Sequence, residues 1–194
     1  IVEYAPEFWN PEGSHRIVHI DFEPAEVDYY YSPEVELVGD IASTLWELNE
    51  RIDDSIPVRT GEFALKHREN ILADIHEFDD DHSFPLKPQK ILHDVRAVLA
   101  DEDIVISDVG AHKLWVARTY LVHEPNTCLV PNGFASMGIA LPGGIAASLV
   151  YPDRKILTIS GDAGFLMNVQ ELETAVRLGT PTVNMIWSDN TLGL

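Results

Sequence analysis

From position 88 onward, short apolar runs alternate with longer stretches in which apolar residues return every three or four positions. The runs are IVIS (104–107), TCLV (127–130), KILTIS (155–160) and TVNMIW (182–187). PQKILHDVRAVLA (88–100) and three later segments carry the helical period. Runs that are apolar on both faces cannot lie against water, so this alternation predicts an α/β fold with a parallel sheet covered by helices on both sides. Nearer the start, RIVHID (16–21) reads as a buried strand. GDIASTLWELNERI (39–52) reads as a helix capped by Asp40, with Ile41, Leu45, Leu48 and Ile52 on one face. Between them and the regular part, 54–85 carries few regular signals and the acidic run HEFDDDHSFP (76–85), a linker-like composition. The organisation expected is a partial α/β unit over 1–53, an acidic linker over 54–87 and a second α/β domain over 88–194.

A parallel sheet gathers its strand-to-helix loops at one edge. Those loops are DVGAH (108–112), PNGFASMG (131–138), GDAGF (161–165) and SDNT (188–191), all rich in Gly, Asp, Asn or small polar residues. Ligands of open α/β sheets bind in that crevice. The segment between the last two loops reads as one amphipathic helix, with Phe165, Val169, Leu172 and Val176 as its apolar stripe and Glu173 four residues before Arg177. Gly179 ends it and Pro181 prevents its continuation. A strand, a helix and a parallel strand return the chain to the same edge, so Asp162 and Asp189 are expected side by side. Two adjacent carboxylates repel unless a proton or a cation intervenes, and hard oxygen ligands beside GDAG suit Mg²⁺ holding a phosphate.

Charge narrows the partners. The chain has 32 acidic and 13 basic side chains, a net charge of −19, and no basic cluster for phosphate backbones or anionic lipid. Nucleic acid and membrane are excluded as partners on that ground. The excess also opposes compaction unless salt screens it, so a halophilic protein that needs high salt is expected. No apolar run is long enough to cross a bilayer and nothing marks export, which makes the cytoplasm the expected location. The single cysteine, Cys128, sits in an apolar run and reads as a small buried hydrophobe. His76, Asp79, Asp80, Asp81 and His82 are possible metal ligands, but their spacing fits neither a calcium loop nor a zinc motif, so a solvated acidic segment is expected. His15, His19, His67, His93 and His123 show no ligand spacing and are read as structural.

The blocks GDAG…SDN, HIDFEPAEVD, VELVGDI, DVGAHKLWVAR, NGFASMGIALPGGIAA and QELETAVRL together resemble thiamine diphosphate enzymes of the acetolactate synthase family, most closely the catabolic, flavin-independent kind. The resemblance implies the thiamine diphosphate-binding fold, with thiamine diphosphate and Mg²⁺ as cofactors. It implies Mg²⁺ ligation by the carboxylate of Asp162, a side-chain oxygen of Asp189 and the backbone carbonyl of Thr191. Position 189 is more often asparagine in the wider family, and Ser188 stands where the motif often has asparagine. Gly161, Ala163 and Gly164 would present backbone N–H groups to the diphosphate. Gly110, Ala111 and His112 would meet its far end; His112 could donate to a phosphate oxygen, or stand at a helix N-terminus facing solvent. Ala135, Ser136 and Met137 would grip the aminopyrimidine, with the Ala135 carbonyl accepting from its amino group and Met137 packing beneath the bent cofactor. Taken without the resemblance, Met137 reads as core filler.

The implied enzyme decarboxylates pyruvate and joins the remaining two-carbon unit to a second pyruvate, giving acetolactate. The family's activating glutamate belongs to an N-terminal domain supplied by a neighbouring subunit of a homo-oligomer. The chain is therefore expected to be part of a longer enzyme, and no catalytic acid or base is assigned to it. Alternatives left open are another thiamine diphosphate-dependent decarboxylase, lyase or acyltransferase, a non-catalytic binding module, and a phosphoryl-transfer domain with Asp162 as nucleophile. Without a partner domain, the loop edge should expose apolar surface.

Overall fold

A computed structural model of the chain describes residues 5–52 and 61–189. The chain forms two compact units, divided between residues 60 and 61.

The first unit holds α1 (Pro6–Trp9), β1 (Val18–Asp21), β2 (Val35–Val38) and α2 (Ile41–Arg51). The two strands pair in parallel, Val18 opposite Val35 and Asp21 opposite Val38. Asp40 caps α2 as expected, its carboxylate accepting from the Ser43 N–H at 2.7 Å. The strand around Val18 is not the buried strand its composition suggests. Only His19 is buried within it, its Nε2 donating to the Glu23 carbonyl (2.9 Å) and its Nδ1 paired with Tyr31 Oη (3.0 Å), which bears out a structural role for that histidine. The interior is instead largely aromatic and polar: Asn10, His19 and Tyr31 are buried beside the aliphatic Ile17, and the Trp9 ring meets Tyr31 edge-on.

The second unit begins with α3 (Glu62–Ile75), a helix inside the stretch whose sequence carries few regular signals. Then follow α4 (Pro88–Val98), β3 (Ile104–Ser107), α5 (Ala111–Thr119), β4 (Cys128–Leu129), α6 (Ala140–Val150), β5 (Ile156–Gly161), α7 (Asp162–Met167), α8 (Glu171–Leu178) and β6 (Val183–Trp187). The four strands form one parallel sheet in the order β4-β3-β5-β6. Alternation along the strands divides its two faces. Val105, Leu157 and Ile159 pack with Leu92 and Val95 of α4 and with Val116 and Tyr120. Ile104, Ile106 and Ile156 pack with Ala140 of α6, and beyond them Leu141 and Ile145 meet Ala175 of α8 and Phe165. This is the expected α/β architecture, a parallel sheet with helices on both faces. Cys128 is half-buried at the edge of the first cluster, and burial pushes its thiol up from the ordinary value, as suits an inert side chain.

One helix expectation requires correction. Residues 162–178 form two helices, α7 and α8, rather than one. The Asn168 side chain donates to the Gly138 carbonyl (2.8 Å) and accepts from Gln170 Nε2 (3.3 Å), fixing a turn that resets the helical phase. Val176 is consequently 83% exposed, and Ala175 takes the buried position. The Gly179 cap (φ 64°) and the Glu173–Arg177 pair (3.3 Å) form as expected.

Candidate functional site

The chain reverses its direction of travel across the sheet at β3. It crosses through α5 to β4 on one side of β3, then through α6 to β5 on the other. The segment leaving β3 enters α5 on one face and that leaving β5 enters α7 and α8 on the other, so the two diverge at the place where open α/β sheets form a ligand crevice.

Asp108, the first residue beyond β3, organises that crevice. It is fully buried, and its carboxylate accepts from the N–H groups of Val109 (2.7 Å), Gly138 (2.8 and 3.1 Å) and Ala140 (3.5 Å) and from Ser160 Oγ (3.4 Å). One carboxylate thus ties together the loop after β3, the loop before α6 and the end of β5. A buried carboxylate is tolerable only with such a set of donors. Gly138 has φ +87°, and a side chain there would meet the Asn168 amide at 2.7 Å and the Gly164 carbonyl at 3.2 Å. Gly164 itself packs against Asp108, where a Cβ would lie 3.3 Å from Oδ2. Asp108 belongs to none of the residue roles that the sequence motifs suggest. The available signal was an acid placed directly after an entirely apolar strand.

The expected cofactor residues fall around this anchor. Gly110 precedes α5, and Ala111, its first residue, is exposed. His112 is buried, which overturns the solvent-facing reading: its ring meets Trp187 at 6.4 Å, and Nε2 is buried without a hydrogen-bond partner. Burial holds its imidazole below the ordinary histidine value, against the opposing pull of the Asp108 backbone and carboxylate. Gly161 lies beside it, within 3.7 Å of the ring by a notional Cβ. In the loop after β4, Ala135 is half-buried in the left-handed region (φ 49°), a conformation sparsely used by residues with a Cβ and often found at ligand sites. Ser136 and Met137 are exposed, so Met137 is not core filler. Phe134, Met137, Leu166 and Met167 all expose apolar surface on the loop after β4 and on α7.

β5 and β6 are neighbours, with Gly161 opposite Trp187. Asp162 therefore leaves one residue beyond the last pair and Asp189 two residues beyond it, from the same end of adjacent strands. Asp162 is exposed at the start of α7, and its Oδ1 accepts from the Ala163 N–H at 2.7 Å. Asp189 is exposed as well. Thr191 lies outside the described residues. The acidic stretch also departs from its expected character: Asp79 is only partly exposed, and its oxygens lie 2.7 Å from His76 Nδ1 and 3.0 Å from His93 Nδ1. His93, read as structural, thereby joins the two residues singled out as possible ligands.

The chain is similar to known proteins. Residues 108–194 match the family described as thiamine pyrophosphate enzyme, C-terminal TPP binding domain. Over 194 residues, covering 98% of this chain and 34% of the relative, the chain is 39% identical to an acetolactate synthase of Bacillus subtilis (strain 168). It is 43% identical to the catabolic acetolactate synthase of Raoultella terrigena over 97% of this chain and 34% of the relative. A probable acetolactate synthase large subunit of Methanococcus aeolicus is 33% identical over 92% of this chain and 32% of the relative. The chain spans about a third of the length of these curated relatives.

Proposed function

We propose that the chain is part of a thiamine pyrophosphate enzyme, whose C-terminal TPP binding domain residues 108–194 match, and that the whole protein condenses two pyruvates to acetolactate with loss of CO₂. This chain supplies the part that binds the Mg²⁺ and diphosphate. The observation carrying the proposal is the meeting of the loop after β3, the loop before α6 and the end of β5 around buried Asp108, in a chain this similar to acetolactate synthases.

The residues present suit the group. Two acidic residues leave the same end of adjacent strands, and His112 Nε2 is a buried ring nitrogen lacking a partner. Asp162, Asp189 and the Thr191 carbonyl would hold Mg²⁺, by the family motif. Gly161, Ala163 and Gly164 would offer N–H groups to the diphosphate. The Ala163 N–H is engaged by Asp162 Oδ1, and turning that carboxylate to a cation would release it. Gly110, Ala111 and His112 would bound the far phosphate, with His112 Nε2 donating to it when that nitrogen carries a proton. Ala135, Ser136 and Met137 would orient the aminopyrimidine, and the exposed apolar loop surface would exclude water beside it. When bound, the cofactor supplies an electron sink for the carbanion left by decarboxylation. The protein's contribution here is to hold, orient and tune. The acid–base glutamate would come from a neighbouring subunit of a cytoplasmic homo-oligomer.

An assay of the full-length protein with pyruvate, Mg²⁺ and thiamine diphosphate in high salt tests the reading by its products. Acetolactate as the main product supports it. Acetaldehyde or acetyl phosphate instead would move the protein to another thiamine-dependent activity, and no turnover with intact cofactor binding would mark a binding module.

A further inference from the structure

A cluster of ligand-type side chains lies apart from the crevice, where the end of α3 meets α4. His76 caps α3, and the turn that follows brings Asp79 back to it, three residues on, with His76 Nδ1 and Asp79 Oδ2 2.7 Å apart. The third member, His93, comes from α4 and sets Nδ1 3.0 Å from Asp79 Oδ1. The two imidazoles stand edge to face, 6.2 Å between centroids and 83° between planes. One donor atom from each of the three residues lies within 4.8 Å of the other two.

We propose that His76, Asp79 and His93 form a second metal site, for a borderline divalent ion of the zinc class, with a fourth position open to water. Distances carry the first part of the case. Metal–ligand bonds of about 2.0–2.2 Å in a tetrahedron separate ligand atoms by roughly 3.3 Å. His76 Nδ1 stands 2.7 Å from Asp79 Oδ2, His93 Nδ1 3.0 Å from Oδ1, and one donor atom of each residue lies within 4.8 Å of the other two, so separations near that value are within reach of ring and carboxylate rotation. The second part is an unsatisfied oxygen. Asp79 Oδ1 is buried without an aligned hydrogen bond, although the His93 nitrogen is close. A hydrogen-bonded clasp of two imidazoles on one carboxylate would satisfy that oxygen, whereas a cation between the three groups would use its lone pair.

Ligand type decides the metal. Two imidazoles and one carboxylate suit Zn²⁺, Co²⁺ or Ni²⁺, whereas Mg²⁺ prefers oxygens and water. His76 and His93 keep 46% and 36% of their side chains exposed, so an ion can enter and a water can complete the shell. The net charge of −19 raises the local cation concentration. The bound ion would pin the turn after α3 to α4.

Titrating the metal-free protein with Co²⁺ and recording its visible absorption tests the site without reference to thiamine diphosphate. One equivalent of Co²⁺ should give the intense bands of a four-coordinate ion, Zn²⁺ should bleach them stoichiometrically, and a large excess of Mg²⁺ should leave them unchanged. His93→Ala should weaken binding by at least the roughly 10–100-fold typical of losing even a supporting partner, while His123→Ala should not. Weak six-coordinate bands, binding displaced by Mg²⁺, or equal loss in both variants would overturn the proposal. If His93→Ala fails to fold, the wild-type spectrum and its response to Zn²⁺ still decide.

Discussion

At the scale of single residues, Asp108 and His112 bear the most on the crevice. Asp108→Asn replaces a carboxylate oxygen facing backbone donors with an amide that itself donates. The stranded N–H groups should cost about 1–3 kcal/mol of stability, and the loosened loops should weaken cofactor binding as well. Chemical denaturation and cofactor titration of the variant measure both; a stability change within about 0.5 kcal/mol, the usual scatter for an uninvolved surface site, would remove Asp108 from its organising role. His112 makes a pH prediction. Its folded-state pKa is lowered, mainly by burial, whereas the unfolded chain takes up a proton near about 6.5. The folded form therefore binds fewer protons in this window. Its stabilising contribution is complete above about pH 6.5 and is lost as pH falls toward the lowered folded value. Denaturation midpoints of wild type and His112→Gln between about pH 7 and pH 5 should diverge, with the wild type falling more steeply. Parallel curves would show that the buried ring does not resist protonation. The loop bearing these residues was legible from its position after IVIS. The buried state of His112 was not, because burial depends on Trp187 and Gly161, distant in sequence and adjacent only once β5 and β6 pair.

At the scale of elements, close packing of α6 on the sheet sets the next expectation. A Cβ at Gly144 would lie 2.6 Å from Thr158 Cγ2, a branched side chain on a central strand with little freedom to move. Gly144→Ala would gain about 1 kcal/mol of helix propensity but should lose more to overpacking, which typically costs about 1–3 kcal/mol. Thermal denaturation should show a lower midpoint; a higher one would mean that α6 can shift without penalty. The strands of the second unit were readable because apolar runs over 104–107, 155–160 and 182–187 admit few other environments. The break between α7 and α8 was not readable. It is imposed by the bond from Asn168 to the Gly138 carbonyl, a contact between loops 30 positions apart that local periodicity cannot register. α3 escaped for a related reason: none of its described residues is buried, so it lacks the sharp two-sided pattern by which helices are recognised.

At the scale of the whole molecule, the net charge of −19 makes stability a function of salt. The Debye length shrinks from about 10 Å at 0.1 M to about 3 Å at 1 M, so added KCl should relieve repulsion between acidic side chains and raise the denaturation midpoint. A midpoint independent of KCl would contradict a salt-adapted surface. The exposed apolar residues of α7 and of the loop after β4 lie at the same edge as the proposed cofactor residues, a surface of the kind that a partner covers. The central claim is that acidic residues at the ends of β5 and β6 hold a divalent cation, which in turn anchors a diphosphate. Calorimetric titration of the full-length protein with thiamine diphosphate in high salt, with and without Mg²⁺, tests it most directly. Saturable binding that requires Mg²⁺ and disappears in Asp162→Ala is expected; binding that is indifferent to Mg²⁺ or to Asp162 would rule out such an anchor.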